Sequence, residues 1–139
     1  MRRPLEGITV VGLEQVIAGP FCTRQLADLG ARVIKIERLG EGDAARGYDR
    51  TVRGQSSHFV WVNRSKESLS LNVKHPDARH VLERLLATAD VFVQNLAPGA
   101  AVANIGTGGT LVTSAQLNPG AAVGSMSDRK STRLNSSHQ

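Results

Sequence analysis

Residues 7–37 limit what this chain can fold into more than any other stretch. Ile8-Thr9-Val10-Val11-Gly12-Leu13, after Gly7, is a short β-branched apolar run and predicts a buried strand. Gly19-Pro20 follows, and proline is favoured in the first position of a helix, where its missing N–H costs nothing. From Pro20 to Leu29 the apolar residues Phe21, Cys22, Leu26 and Leu29 recur at helical spacing. Gly30 then falls where a helix end calls for a left-handed residue. Arg32-Val33-Ile34-Lys35-Ile36-Glu37 predicts a second strand. Strand, helix and strand in about thirty residues form a βαβ unit, expected to cross over right-handed.

The rest of the chain extends this alternation. Residues 38–57 are polar, contain Gly40, Gly42, Gly47 and Gly54, and read as a long loop of the kind that often carries function. His58-Phe59-Val60-Trp61-Val62-Asn63 reads as a short buried element, with Phe59 and Trp61, like Phe92, expected in the core. Ser68-Leu69-Ser70-Leu71-Asn72-Val73 alternates polar and apolar residues and predicts a strand with one buried face. Pro76 opens a helix to about Ala89, with Val81, Leu82, Leu85, Leu86 and Ala89 in one stripe. Asp90-Val91-Phe92-Val93-Gln94-Asn95 predicts the next strand, and Pro98-Gly99 punctuates its end. Strands alternating with helices predict an α/β fold around a mainly parallel sheet. From Ala100 to Ser127 the chain turns rich in Gly, Ala, Ser and Thr, with no period beyond Thr110-Leu111-Val112-Thr113. Residues 128–139 are polar but for Leu134, and poor order is expected across this tail.

Charge narrows the function. The 139 residues carry a net charge of +5, but residues 1–99 hold 14 Lys/Arg against 11 Asp/Glu, with the signs interspersed. That is no nucleic-acid stripe, which would gather cations on one face, and it suits an anionic small molecule. No apolar run approaches a membrane span, and the start, Met1-Arg2-Arg3-Pro4-Leu5-Glu6, leads into no signal-peptide core, so a cytoplasmic protein is expected. Cys22 is the only cysteine, which excludes an internal disulfide framework. It reads as a small buried residue. His58, His75, His80 and His138 show no metal-ligand spacing, and no metal site is assigned.

The turn Glu14-Gln15-Val16-Ile17-Ala18-Gly19-Pro20 carries the most weight as a candidate site. It lies past the carboxyl end of a strand and before a helix N-terminus, where open α/β sheets bind ligands and where free N–H groups suit phosphate. Its spacing is neither G-x-G-x-x-G nor a P-loop, and on spacing alone an ordinary βα turn accounts for it. Arg38, at the end of the second strand, could pair with a phosphate or stack on an adenine, or be a solvated charge. Asn63-Arg64-Ser65-Lys66 is a compact basic cluster of the kind that can form an anion-binding turn. Lys74 and Asn95 lie at or just past later strand ends, and each alone reads as a surface residue.

Taken together, several ordered segments resemble the class III CoA-transferase family, also called the CaiB/BaiF family. They are Pro4-Leu5-Glu6-Gly7-Ile8, Val16-Ile17-Ala18-Gly19-Pro20-Phe21, and the run Gln25 to Arg38. Asn63-Arg64-Ser65-Lys66, Leu69-Ser70-Leu71-Asn72-Val73-Lys74 and the run Ala89 to Gly99 complete the set, which covers roughly residues 4–100. The resemblance implies a Rossmann-like large domain, a smaller domain and an interlocked homodimer. It implies contacts with coenzyme A at Ile17 and Ala18, at Arg38, along Leu71, Asn72, Val73 and Lys74, and at Asn95, Leu96 and Ala97. No tightly bound cofactor is implied; coenzyme A and acyl-CoA enter as substrates, with a free carboxylate as acceptor. Small dicarboxylates such as itaconate, mesaconate, succinate or malate are the expected acceptors. In the family an aspartate attacks the acyl-CoA thioester, which splits one hard exchange into easier steps. Nothing in this sequence matches that nucleophile, and Asp128 has the wrong surroundings for it.

There are departures from the family pattern. Gly12 occupies a position where many members carry an acid, and Gln94 and Leu96 replace the commoner Glu and Phe. Past Ala101 the family's arginine-leucine-glycine continuation is missing. The ending, Arg129 to His138, looks like translated non-coding or adapter sequence. Two regions are therefore expected: a CoA-binding α/β region over 1–100, and a tail over 101–139 that marks a truncated or frameshifted gene product, inactive by itself. An acyl-CoA racemase of the same superfamily and a non-catalytic CoA- or nucleotide-binding module are the alternative readings.

Overall fold

The structure, a computed structural model, describes residues 2–96 and 110–113. Five parallel strands form one sheet: β1 (Thr9–Leu13), β2 (Arg32–Glu37), β3 (Lys66–Ser70), β4 (Val91–Gln94) and β5 (Thr110–Thr113). Their order is β3-β2-β1-β4-β5, the first five places of the doubly wound Rossmann order. Three helices accompany them, α1 (Ala18–Asp28), α2 (Ser57–Asn63) and α3 (Pro76–Ala87), with a 3-10 turn over Ala44–Gly47. Among the described residues no helix is long and apolar enough to cross a membrane.

The strand alternation divides the core in two. Val11, Ile34, Ile36 and Phe92 point to one face, where they meet Leu82 and Leu86 of α3. Val10, Val33 and Val93 point to the other, against Ala27 of α1 and Ala31. Each such side chain contributes about 1.5–3 kcal/mol by leaving water. Register is fixed by the same alternation, with Val11 of β1 level with Ile34 of β2 and Phe92 of β4.

The βαβ unit lies where the sequence puts it, with β2 at Arg32–Glu37 and Gly30 left-handed at φ +105°. Details differ. Pro20 is the third residue of α1, not the first. α1 packs through its small residues, Gly19, Pro20, Thr23 and Ala27, which brings it close to the sheet and leaves Phe21, Cys22 and Leu29 exposed. The segment 58–63 is helical, capped by the Ser56 hydroxyl accepting from the Phe59 N–H. Trp61 on it is exposed and Phe59 only half-buried, so of the three aromatics expected in the core only Phe92 is buried there. Helix α3 stops at Ala87, and Val81 of its expected apolar stripe faces solvent.

The largest shift is in β3, which starts at Lys66 and ends at Ser70, two to three residues earlier than the alternation suggests. Leu69, Leu71 and Val73 do pack on the α3-side core. Past Ser70, however, only the Leu71 N–H still reaches β2, donating to the Glu37 carbonyl at 2.9 Å. The tail expected to be poorly ordered lies outside the described residues, except Thr110–Thr113, which pairs with β4 as β5.

Candidate functional site

The direction of the chain reverses between β1 and β4. Sequence order runs outward from β1 through β2 to β3, then crosses back to β4 and β5. The crevice past the carboxyl ends of strands at such a switch point is where doubly wound sheets bind ligands. Two candidate segments meet there, the β1–α1 turn and Asn95. The Asn95 carboxamide accepts from the Gln15 N–H and donates to the Gln15 carbonyl, both at 2.8 Å.

The β1–α1 turn is held at each of its first three residues. Glu14, 1% exposed, accepts from the Thr23 hydroxyl and from Lys66 Nζ, each at 2.8 Å. Gln15 is held by Asn95. Val16, at φ +67°, donates its N–H to the Asp43 carboxylate at 3.0 Å. Ile17 is the N-cap of α1 and offers no side-chain acceptor. The helix therefore begins with N–H groups unsatisfied from within it and with no acid in its first turn. Gly19 is required by this packing, because a Cβ there would lie 2.9 Å from Glu14 Cβ and 3.0 Å from Asn95 Cγ.

Arg38 is exposed and donates to Gln15 Oε1 at 3.5 Å. Leu71 and Val73 join Gln15, Arg38, Leu13 and Ile36 around a shallow cleft at this edge. Asn72 and Lys74 form the turn between β3 and α3, with the Lys74 N–H donated to Asn72 Oδ1 at 3.3 Å, and both are exposed. Leu96 donates its N–H to Gln94 Oε1. Ala97 lies outside the described residues. The carboxyl-terminal edge thus gathers Ile17, Ala18, Arg38, Leu71, Val73 and Asn95, each delivered by the end of a strand or the start of a helix.

Beneath this edge lies a buried ionic cluster that the sequence reading missed. Lys35, 1% exposed, donates to Asp43 Oδ2 at 2.7 Å and to the Glu14 carbonyl at 3.2 Å. Lys66 also donates to the Pro20 carbonyl and to Asn63 Oδ1. Glu37 accepts from Arg46 through both oxygens at 2.7 Å, from the Ser68 hydroxyl at 2.7 Å and from the Asp43 N–H at 3.0 Å. Burial raises the Glu37 carboxyl, but Arg46, Ser68 and the Asp43 N–H outweigh it and bring it down to about 2. Asp43 is lowered in the same way, its burial outweighed by Lys35 and by the N–H groups of Ala45 and Val16. Burial brings Lys66 down to about 8, against the opposing pull of Glu14.

This cluster corrects the anion-binding reading of Asn63–Lys66. Lys66 is committed to Glu14, and Arg64 to Asp28 at 2.8 Å. It also accounts for Gly12. A Cβ at position 12 would lie 2.9 Å from Glu14 Cδ, so the Glu14 carboxylate folds back over the glycine and takes the space of a side chain there. A signal was present in the sequence: Lys35 and Glu37 alternate with apolar residues on the same face as Val33, which is itself buried against α1.

Comparison with known proteins gives a consistent picture. The family model described as CoA-transferase family III matches residues 5–123, past the residue 100 to which the sequence motifs reach. The succinyl-CoA:glutarate CoA-transferase of Mus musculus is 46% identical over 98 residues, which are 70% of this chain and 22% of that protein. The acetyl-CoA:oxalate CoA-transferase of Acetobacter aceti is 46% identical over 96 residues, 69% of this chain and 25% of that protein. A CaiB/BaiF family protein from Brucella suis superposes with a TM-score of 0.64 at 35% identity, over 69% of this chain and 26% of that one. The chain spans about a quarter of the length of these curated relatives.

Proposed function

The chain belongs to CoA-transferase family III, and from that premise we propose that its carboxyl-terminal sheet edge binds coenzyme A for transfer between an acyl-CoA and a free carboxylate. The observation that carries this reading is the convergence of the α1 N-terminus, Gln15, Arg38 and the Leu71–Val73 cleft along the carboxyl ends of β1, β2 and β3, beside the switch point of the sheet. The unsatisfied N–H groups at Ile17 and Ala18 offer positive dipole to a phosphate. The exposed Arg38 guanidinium adds charge and a flat face for an adenine. Leu71 and Val73 supply apolar wall, and Lys74 adds a second cation beyond it. Asn95, Leu96 and Ala97 follow β4 on the other side of the crevice.

In this reading residues 1–100 are the CoA-binding region. The full reaction runs through an aspartyl carboxylate that attacks the thioester and carries the acyl group, then CoA, before CoA passes to the acceptor. That nucleophile is assigned to no residue of this chain. The acceptor is a small dicarboxylate; similarity to enzymes named for glutarate and for oxalate supports that class. A cytoplasmic, interlocked homodimer completes the proposal.

The experiment is calorimetric titration of CoA into the 139-residue chain, with dephospho-CoA and adenosine alongside. Saturable binding that weakens as phosphates are removed is expected. Absence of heat and of saturation for CoA would refute the site. For the reaction, label exchange between succinyl-CoA and glutarate or oxalate in a family-length protein carrying this region is expected, and its absence would refute transfer.

A further inference from the structure

We propose that Asp43 is a positioning residue of this site: its carboxylate holds Val16 in the left-handed conformation and thereby aims the N-terminus of α1. The proposal rests on reading that edge as the CoA site.

Val16 is the anomaly that calls for an explanation. It is β-branched, yet its φ is +67°, a conformation that such residues avoid because the branched Cβ crowds its own backbone. Strain of this kind persists only where the surroundings over-determine it. Here the Val16 amide itself is held by one side chain. The Val16 N–H donates to both Asp43 oxygens, at 3.0 and 3.2 Å. Asp43 is itself fixed on every side. Lys35 Nζ donates to Oδ2 at 2.7 Å, the Ala45 N–H donates to Oδ1 at 2.9 Å, and the Asp43 N–H donates to Glu37.

Lys35 also donates to the Glu14 carbonyl. Asp43 and Lys35 therefore grip the chain on both sides of Gln15, while Asn95 grips Gln15 itself. The loop after β2 acts as a strut from the second strand to the turn after the first. Ile17 follows Val16 directly and caps α1. If Val16 leaves the left-handed region, the direction of the Ile17 and Ala18 N–H groups changes with it. Asp43 is 2% exposed and borders the cleft, but its two oxygens are taken by Val16, Lys35 and Ala45, so it acts through Val16.

The test compares the chain with its Asp43→Asn, Asp43→Asn/Val16→Gly and Ile8→Ala variants. It reads CoA affinity by calorimetry and Val16 amide exchange by NMR. Asp43→Asn is expected to speed Val16 exchange at least tenfold and to weaken CoA binding at least tenfold. Adding Val16→Gly is expected to recover at least threefold of that loss, because glycine takes the left-handed turn without strain. Ile8→Ala, a core change at the amino-terminal end of the sheet, away from the cleft, is expected not to reproduce the loss. If Asp43→Asn does not fold, Lys35→Met/Asp43→Asn replaces it, since no buried cation is then left alone. Val16 exchange and CoA affinity both unchanged by loss of the carboxylate would overturn the proposal, as would an equal loss in Ile8→Ala. If the parent chain binds no CoA, the site reading falls, and Val16 exchange alone decides whether Asp43 holds the turn.

Discussion

The side-chain amide of Asn95 closes on the main chain of Gln15 from both ends, accepting its N–H and donating to its carbonyl, each at 2.8 Å. The two residues are eighty apart in sequence and meet because β1 and β4 lie side by side. The pair bridges the crevice at its base. Asn95→Ala removes both bonds at once and leaves a half-buried peptide group unpaired. A loss of about 1–3 kcal/mol in denaturant unfolding is expected, with faster exchange at the Gln15 amide. Asn95→Asp keeps the acceptor but sets an anionic oxygen against the Gln15 carbonyl, and a loss at least as large is expected.

Acid sensitivity should centre on Glu37. Its carboxyl titrates at about 2 in the fold and near 4.5 when unpaired. Its contribution is therefore fully present above 4.5 and is lost as pH falls from there toward 2. Thermal midpoints measured from pH 6 to pH 2.5 should fall less steeply for Glu37→Gln than for the parent chain. Equal slopes would show that Glu37 is not a major acid-sensitive link.

Lys66 gives a slope of the same sign at alkaline pH, but because burial disfavours its charged form. Buried beside Glu14, it titrates at about 8 against an ordinary 10.5. Between those values the unfolded chain holds a proton that the folded chain has released, so this residue makes stability rise with pH over that window. Lys66→Met should remove the rise. At neutral pH the same change deprives the Glu14 carboxylate of its nearest cation, at 2.8 Å. A cost of about 3–5 kcal/mol is expected, read as a lower urea midpoint. Lys66→Met/Glu14→Leu, which removes both charges, should recover much of it.

Gly12 and Glu14 form a size-matched pair. Gly12→Ala puts a methyl 2.9 Å from a carboxylate that Thr23 and Lys66 hold in place. Crowding of about 1–3 kcal/mol is expected. In Gly12→Ala/Glu14→Ala the methyl has room, and the two costs should combine to less than their sum in a double-mutant cycle.

How much of this was legible in the sequence depended on whether a pattern or a partner decided it. The βαβ unit was legible because its apolar runs and Gly30 encode strand, helix and stop locally. Arg38 and Asn95 were legible as edge residues because each follows a strand. The start of β3 was not, because Lys66 enters the strand on the strength of a carboxylate 52 residues away. The short α2 has too few residues to display a helical period. Asp43 was not legible because nothing local marks a loop aspartate as buried. The exposure of Phe21 and Trp61, whose rings lie 5.7 Å apart, was hidden for a related reason. Small residues, not large ones, bring α1 against the sheet.

The two faces of the sheet are cemented by different materials. Behind α3 the filling is hydrocarbon, indifferent to protons. Behind α1, at the carboxyl end, carboxylates interlock with lysine and arginine cations below the crevice. Acid below about pH 4.5 therefore loosens one layer and spares the other, and the crevice is lost before the molecule as a whole comes apart.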